Sequence, residues 1–336
     1  MLTLGIETSC DETAAAVVEN GKKMFSSCVS SSIHLHQKFG GIVPEIASRY
    51  HLEYIIPVVE SALQKAQVKL KDINLVTVTH TPGLVGSLLV GVSFAKALSL
   101  ALNKPLLGVN HIQAHLFSPF LEQGRFHFPF VGLVVSGGHT SLAYVKDFDK
   151  IKIIGKTRDD AAGEAFDKVA KMLGLTYPGG PIIDKLASTI NQSPFRFKCA
   201  TLNNSLDFSF SGIKTDVLYA WAKVKNKNKK AKAQICYSFQ KQVVNVLVDK
   251  SIQACNKHKT QILSVGGGVA CNNELRNKLI SRGKENNIKI FLSGKHLCLD
   301  NAAMIAALGY HLYKKGVKSK YTLTALATPK QKNHYA

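Results

Sequence analysis

Apolar and polar positions set a repeating pattern along this chain. The apolar run Leu2 to Ile6 reads as a buried strand, and the polar turn Glu7-Thr8-Ser9-Cys10-Asp11-Glu12-Thr13 follows it. A second run, Ala14 to Val18, reaches Asn20-Gly21, a pair that favours a tight hairpin turn. The pattern returns later. Phe130 to Val135 reads as a strand, Ser136-Gly137-Gly138-His139-Thr140 as a polar turn, and Ser141 to Val145 as a second strand. Repetition at about the spacing of one domain predicts two similar α/β lobes, each opening with a strand-turn-strand unit.

Helical spacing fills the intervals. It predicts helices over Glu45 to Ala66, Leu84 to Leu102, Ala161 to Leu173, Ala233 to Cys255 and Asn301 to Tyr313. Ile262 to Val265 reads as a buried strand that runs into glycines. The most membrane-like stretch, Gly83 to Leu102, carries Lys96 and is read as a core helix rather than a span. Lys223 to Lys232 (KVKNKNKKAK) reads as a structureless insert, either a solvated loop or a phosphate-backbone contact. The polar tail after Thr328 reads as frayed.

Length and composition narrow the picture. The 336 residues suit two domains, and 46% apolar residues supply a core for each. The 43 basic residues outnumber 22 acidic ones, for a formal charge of +21, which attracts polyanions such as nucleic acid. The seven cysteines are odd in number and form no C-x-x-C pair, so free thiols in a reducing cytosol are expected. Cys271 stands in a glycine-rich motif, but nothing in its sequence neighbourhood lowers its pKa, and an inert thiol is expected. No cationic leader precedes the first apolar run, which predicts a cytoplasmic protein without a membrane segment.

Four constellations carry chemistry. In His111-Ile112-Gln113-Ala114-His115 a helix would set both imidazoles on one face, where they can chelate one ion, with Asn110 as N-cap. No glutamate follows His111, so the zinc-protease pattern is absent. Asp300, at the expected start of a helix, is the candidate third ligand. Two histidines and one carboxylate leave coordination positions open, as catalytic metal sites do. Val134-Val135-Ser136-Gly137-Gly138-His139 can cradle phosphate or carboxylate oxygens on backbone N–H groups, although an ordinary glycine hairpin has the same sequence. Val265-Gly266-Gly267-Gly268 leads to a helix near Asn272 or Asn273 and matches neither the dinucleotide nor the Walker pattern. Asp167 and Asp184 flank the loop Tyr177-Pro178-Gly179-Gly180-Pro181. They read either as acceptors for ribose or substrate hydroxyls or as partners of Lys168 and Lys171. No G-x-S-x-G elbow is present, which argues against a serine hydrolase.

Taken in order, these segments resemble one family, the tRNA N6-adenosine threonylcarbamoyltransferases (TsaD, formerly Gcp), of bacterial type. The resemblance rests on GIETSCDETAAAVV at the start, GGIVPEIASRYH at 40–51 and HTPGLVGSLLVGVSFAKALSL at 80–100. NHIQAHL at 110–116, LVVSGGHTSL at 133–142 and AAGEAFDKVAKMLGLTYPGGPIID at 161–184 continue it. FSFSGIKT at 208–215, VGGGVACNNELR at 265–276 and Asp300-Asn301-Ala302-Ala303-Met304 complete it. It implies an α/β fold of two RNase H-like lobes, of the actin, hexokinase and Hsp70 (ASKHA) superfamily, with an interlobe nucleotide cleft. The expected division is 1–128 for the first lobe, 129–310 for the second, and 311–336 as a segment packing back on the first.

The resemblance also implies a reaction. The threonylcarbamoyl group would pass from threonylcarbamoyl-adenylate to N6 of the adenosine just 3′ of the anticodon, in tRNAs reading ANN codons. His111, His115 and Asp300 would hold one Fe(2+) per subunit, with zinc as the other ion in view, and the metal would polarise the carbamoyl carbonyl. Val134, Val135, Ser136, Gly137, Gly138, Asp167, Gly180, Asp184 and Asn272 would hold the adenylate. Asp11 is the candidate proton acceptor, and an ordinary turn-capping aspartate is its alternative. Implied partners are tRNA, a TsaB-type paralogue and a TsaE-type ATPase. A metal-dependent glycopeptidase and an ASKHA-type small-molecule kinase are the competing functions.

Overall fold

In the computed structural model the first strand, β1 (Leu2–Glu7), sends Leu4 and Ile6 to one face and Thr3, Gly5 and Glu7 to the other. The structure describes residues 1–123, 127–200, 202 and 205–328, so the tail after Thr328 lies outside the described residues. A tight turn at Asn20 and Gly21, with φ of 51° and 65°, joins β2 (Glu12–Glu19) to β3 (Lys23–Ser31). Further along come β4 (Leu75–Thr81) and β5 (Leu106–Asn110). The five strands form one sheet in the order β3-β2-β1-β4-β5. The first three strands are antiparallel, and β4 and β5 run parallel to β1.

Helices α1 (Ile33–His36), α2 (Pro44–Ala66), α3 (Val85–Leu102), α4 (His111–Phe117) and α5 (Phe120–Gln123) connect and flank these strands. Leu4, Ile6, Ala15, Val17, Val76 and Val78 bury against Ile55, Val58 and Val59 of α2 and Val92 and Ala95 of α3. Each Leu, Ile or Val among them stabilises the fold by about 1.5–3 kcal/mol relative to exposure. The reading of α3 as a core helix holds for one side only. Ser87, Leu88, Gly91, Val92, Ala95 and Ser99 are buried, while Val85, Leu89 and Leu100 are about half exposed or more. By length and composition alone α3 could also cross a membrane.

The second sheet is built from β6 (Phe130–Val135), β7 (Thr140–Asp147), β8 (Lys150–Lys156), β9 (Ile262–Gly266) and β10 (Lys289–Leu292). Its order is β10-β9-β6-β7-β8, with β6, β7 and β8 antiparallel and β9 and β10 parallel to β6. Order and direction repeat those of the first sheet. Around it lie α6 (Ala162–Met172), α7 (Gly179–Ala187), α8 (Ser211–Lys223), α9 (Lys229–Lys257), α10 (Asn273–Glu285) and α11 (Lys295–Cys298). One core joins Val131, Leu133, Val135, Leu263 and Val265 of the sheet to Phe166 of α6 and Phe239, Val243 and Leu247 of α9. The lysine-rich stretch is a structureless insert only in part: residues 224–228 form an irregular link between α8 and α9, and the rest is helical. Asn228 accepts the Ala231 amide at 2.9 Å, and Lys229 to Lys232 form the first turn of α9. Lysine is a good helix former, so the cap decides the start.

The chain then returns to the first sheet through α12 (Ala302–Lys314), which packs on β1, β2, β4 and β5. A Cβ on Gly5 would strike the Ala302 carbonyl, and one on Gly309 would strike Thr77, so these glycines allow close approach of helix to sheet. Beyond α12, Ser319 N–H donates to the Leu106 carbonyl at 3.0 Å and Leu326 N–H to the His80 carbonyl at 2.9 Å. The chain therefore divides into Met1–Phe126 with Leu299–Ala336, and His127–Cys298. The second unit ends at Cys298, short of the position 310 expected from sequence, because α12 completes the first unit.

Candidate functional site

The first unit gathers its polar side chains where β1 and β5 end. Asn110 closes β5, and its Oδ1 accepts the Gln113 amide at 3.0 Å, which starts α4. One helical turn then separates His111 from His115, with ring centroids 4.6 Å apart. Asp300 precedes Asn301, the N-cap of α12. Its Oδ1 lies 3.1 Å from His115 Nε2 and 3.4 Å from His111 Nε2. One donor atom from each of the three residues lies within 4.8 Å of the others. The structure thus brings together the three residues read from sequence as ligands.

Glu7, which sequence reading placed only within a polar turn, completes this cluster. It ends β1 fully buried, with Oε2 2.9 Å from His111 Nδ1. Thr79 Oγ1 donates to Oε2 and the Ser9 amide to Oε1, each at 2.5 Å. Burial alone would raise both Glu7 and Asp300, but the adjacent charge on His111 outweighs it and holds both below the usual carboxylate range. Burial pushes His111 down, and Asp300 and Glu7 reverse this, leaving it well above its ordinary value. His115 is lowered, mainly by burial and also by the charge on His111.

This chemistry fits a divalent cation. A buried carboxyl, Glu7, and a partly buried one, Asp300, both held below the usual range, flank His111 and favour a cation. Glu7 holds Nδ1 of His111, which turns Nε2 toward Asp300, the arrangement in which a histidine ligates a metal. Among the described residues, His115 Nδ1 and Asp11 Oδ2 are buried without a hydrogen-bond partner. A purely structural polar network seldom leaves such atoms unpaired.

The turn between β1 and β2 carries Asp11 and Glu12. Ser32 pins it by donating N–H and Oγ–H to the Asp11 carbonyl at 2.9 and 3.0 Å. His51 also braces the turn, with Nδ1 2.7 Å from Thr13 Oγ1 and Nε2 3.0 Å from the Cys10 carbonyl. Burial raises both carboxyls, and the nearby charges of Asp300 and Asp11 raise Glu12 further. The hydrogen bond between the two side chains raises Glu12 and lowers Asp11. Both carboxyls stand above the usual range, Glu12 well above it.

In the second unit the residues expected from sequence to hold the adenylate offer mostly backbone. Val134 and Val135 end β6, and the following turn closes through Ser136 N–H to the His139 carbonyl at 2.8 Å. Added Cβ atoms at Gly137, Gly138 and Gly180 would meet nothing within 4 Å. Gly163 and Gly267 are different. A Cβ on Gly163 would strike the Ser136 carbonyl, one on Gly267 would strike the Val135 carbonyl, and Gly267 has φ of +94°. Packing demands glycine at those two positions, whereas the other three leave backbone open to a ligand.

Asp167 and Asp184 pair with neither of the lysines considered from sequence. Asp167 Oδ1 accepts the Gly179 amide at 2.7 Å and fixes the start of α7, while burial raises its carboxyl. Asp184 Oδ2 accepts from Asn273 Nδ2 at 2.6 Å and its amide at 3.3 Å. Lys168 instead pairs with Asp160 and Glu164, each at 2.7 Å. Asn272 caps α10 through the Leu275 amide at 2.9 Å and donates to Gln240 at 2.8 Å, so its side chain is already engaged. Asp159 went unread in the sequence. It accepts from Phe210 N–H at 2.8 Å and Ser211 Oγ at 2.8 Å and anchors the start of α8.

The fold is that of an α/β protein with two five-stranded mixed sheets of the same strand order. T. kodakarensis HypF superposes with a TM-score of 0.64 at 15% identity, over 94% of this chain and 48% of that one. The particular family comes from sequence comparison. The model of TsaD, tRNA N6-adenosine threonylcarbamoyltransferase, matches residues 23–307. A relative from Dictyoglomus turgidum bearing that name is 49% identical over 97% of each chain. One from Clostridium kluyveri, of the same name, is 51% identical over 96% of each. This chain belongs to the tRNA N6-adenosine threonylcarbamoyltransferase (TsaD) family.

Proposed function

We propose that this chain transfers the threonylcarbamoyl group from threonylcarbamoyl-adenylate to N6 of the adenosine 3′ of the anticodon in tRNAs reading ANN codons. The observation that carries this reading is the convergence of His111, His115 and Asp300, with Glu7 behind His111, in a family of this name. Each unit would be an RNase H-like lobe. The three ligands would hold one Fe(2+), with Zn(2+) as the other ion that suits the donor set. Such an ion, when bound, supplies Lewis-acid polarisation of the carbamoyl carbonyl.

The chain's own residues supply the rest. Glu7 keeps the proton on His111 Nδ1 and so leaves Nε2 free as a ligand atom. Open backbone at Ser136, Gly137, Gly138 and Gly180 would receive the adenylate, beside the end of β6 at Val134 and Val135. Asp167 and Asp184 hold the loops that shape this surface, and Asn272 contributes through the helix start it caps rather than through a free amide. Asp11 would accept the proton that N6 loses as the carbamoyl–nitrogen bond forms and AMP leaves. The charge of +21 would draw tRNA. A TsaB-type paralogue and a TsaE-type ATPase would be its protein partners, in the cytoplasm.

His111→Ala tests the reading. Bound metal and transfer from purified threonylcarbamoyl-adenylate to tRNA are measured together. Both should fall, transfer by about 10²–10³-fold. Full transfer by metal-free variant protein would remove the Lewis-acid role.

A further inference from the structure

The lysine-rich stretch has no part in the transfer chemistry proposed above, yet the structure gives it a definite place. Helix α8 ends at Lys223, residues 224–228 turn a corner, and α9 begins at Lys229. Trp221 is buried beneath this corner, and Lys227 Nζ lies 5.2 Å over its ring. Asn228 caps α9 and fixes where the corner ends.

The corner gathers charge of one sign. Lys223, Lys225, Lys227, Lys229 and Lys230 are exposed, and Lys232 is half-buried. From position 217 to 248 the chain holds seven lysines and no aspartate or glutamate. Other lysines of the same unit are neutralised. Lys214, near the start of α8, pairs with Asp160 at 2.9 Å, and Lys168 pairs with Asp160 and Glu164, each at 2.7 Å. Among the described residues none of the six corner lysines forms an ion pair. Like charges this close repel one another. The gathering opposes folding, and an anionic partner relieves it.

The position of the corner selects the anion. Gln240, further along α9, accepts from Asn272 Nδ2 at 2.8 Å, and Asn272 is one of the residues assigned to the adenylate. Helix α7, which opens with Gly179 and Gly180, packs on α9 as well. A helix rises about 1.5 Å per residue, so the eleven positions from Lys229 to Gln240 set the lysines roughly 16 Å from that surface. A single nucleotide held there does not reach the corner. An RNA strand that presents its base there carries backbone phosphates over such a span.

We propose that the α8–α9 corner is a docking surface for the sugar-phosphate backbone of the acceptor tRNA, its exposed lysines neutralising phosphates a few nucleotides from the modified adenosine. The identity of the RNA rests on the transfer reading. Lysine meets phosphate as a point charge on a flexible stem, so the surface positions RNA without reading its sequence.

The test uses the full chain and an unmodified tRNA transcript, with Kd measured over a range of KCl concentrations. One variant carries Lys225→Gln, Lys227→Gln, Lys229→Gln and Lys230→Gln. These side chains are exposed and glutamine forms helix about as well as lysine, so the melting temperature should hold. A control variant removes the same charge from scattered exposed positions, with Lys22→Gln, Lys65→Gln, Lys71→Gln and Lys150→Gln. Each lysine that meets a phosphate of a single strand contributes about 0.7 to the slope of log affinity against log salt. The corner variant should therefore lose about three from that slope and at least about tenfold in affinity at low salt, for cognate and unrelated RNA alike. Its KM for tRNA should rise while kcat is kept, and the control should change far less. Equal losses in the two variants would assign binding to net charge alone and overturn the proposal, as would unchanged affinity and slope in the corner variant. Loss of binding to anionic vesicles with tRNA binding intact would assign the corner to a membrane surface and overturn it too. If the unaltered chain modifies tRNA while the corner variant binds as tightly, only this inference fails. If the unaltered chain binds tRNA through the corner but transfers nothing, only the transfer reading fails.

Discussion

Strands β1 and β6 occupy the same place in two sheets of identical order, yet they end differently. Strand β1 ends in Glu7, a buried carboxylate that orients an imidazole. Strand β6 ends in Val135 and a turn with two glycines that leave space above them. On the proposed reading the first unit would work through ionisable side chains, whose cost of burial is offset by a counter-charge. The second would work through backbone, which needs only that no side chain be in the way. On the proposed reading, one duplicated scaffold would hold a cation-type site in one unit and an anion-type site in the other, and the two should respond to different perturbations.

The sharpest break would come from Asp300→Asn. Removing one of two ionised carboxylates should empty the first site of metal and reduce transfer by about 10²–10³-fold, while AMP binding by calorimetry stays as before. Loss of AMP binding with metal retained would reverse the assignment of the two sites.

Acid should next separate the units by stability. Burial holds His311 of α12 at about 4, against an ordinary value of 6.5. Above pH 6.5 it is neutral folded or unfolded and contributes no pH dependence. Between pH 6.5 and 4 the unfolded chain takes up a proton that the folded chain refuses, so stability falls as pH falls, by no more than about 3 kcal/mol. His51, also lowered, adds in the same direction. His311→Phe should flatten the acid limb of urea-melt midpoints. An unchanged limb would show that His311 is solvated in the folded state.

Glu7→Gln should weaken metal binding by about 10–100-fold with the fold intact, since the glutamine keeps the shape but cannot hold the Nδ1 proton by charge. Metal titration followed by absorbance checks this, and unchanged affinity would reduce Glu7 to a packing residue. Smallest is Gly137→Ala. The methyl meets no protein atom, so the melting temperature should stay constant while AMP affinity drops about tenfold. Affinity unchanged in this variant would mean that the turn does not approach the ligand.

The sequence disclosed what is local. His111 and His115 were legible because four positions on a helix are neighbours in space, and Asp300 because it precedes a run of small residues that reads as a helix. The two opening strand-turn-strand units were legible for the same reason. Glu7 was not, because its partner stands 104 positions away and a single carboxylate at the end of a strand looks like turn polarity. For Asp167 and Asp184 only the lysine-pairing alternative fails, since the folded chain presents them with an amide and an asparagine. The lysines at 229–232 misled in another way. Their charge suggested solvent and loop, while their helix propensity and the cap at Asn228 decided the local structure.

The return of α12 to the first sheet has a consequence for how the chain is made. A ribosome releases His127–Cys298 as one uninterrupted stretch, and that unit can fold while synthesis continues. The first five strands emerge earlier but must wait. Until Asp300 and Ala302–Lys314 leave the exit tunnel, Gly5 and Thr77 lack the helix that covers them and the two histidines lack their carboxylate. The half of the protein that is born first is therefore finished last, and an ion arriving during translation would find only an incomplete set of donors.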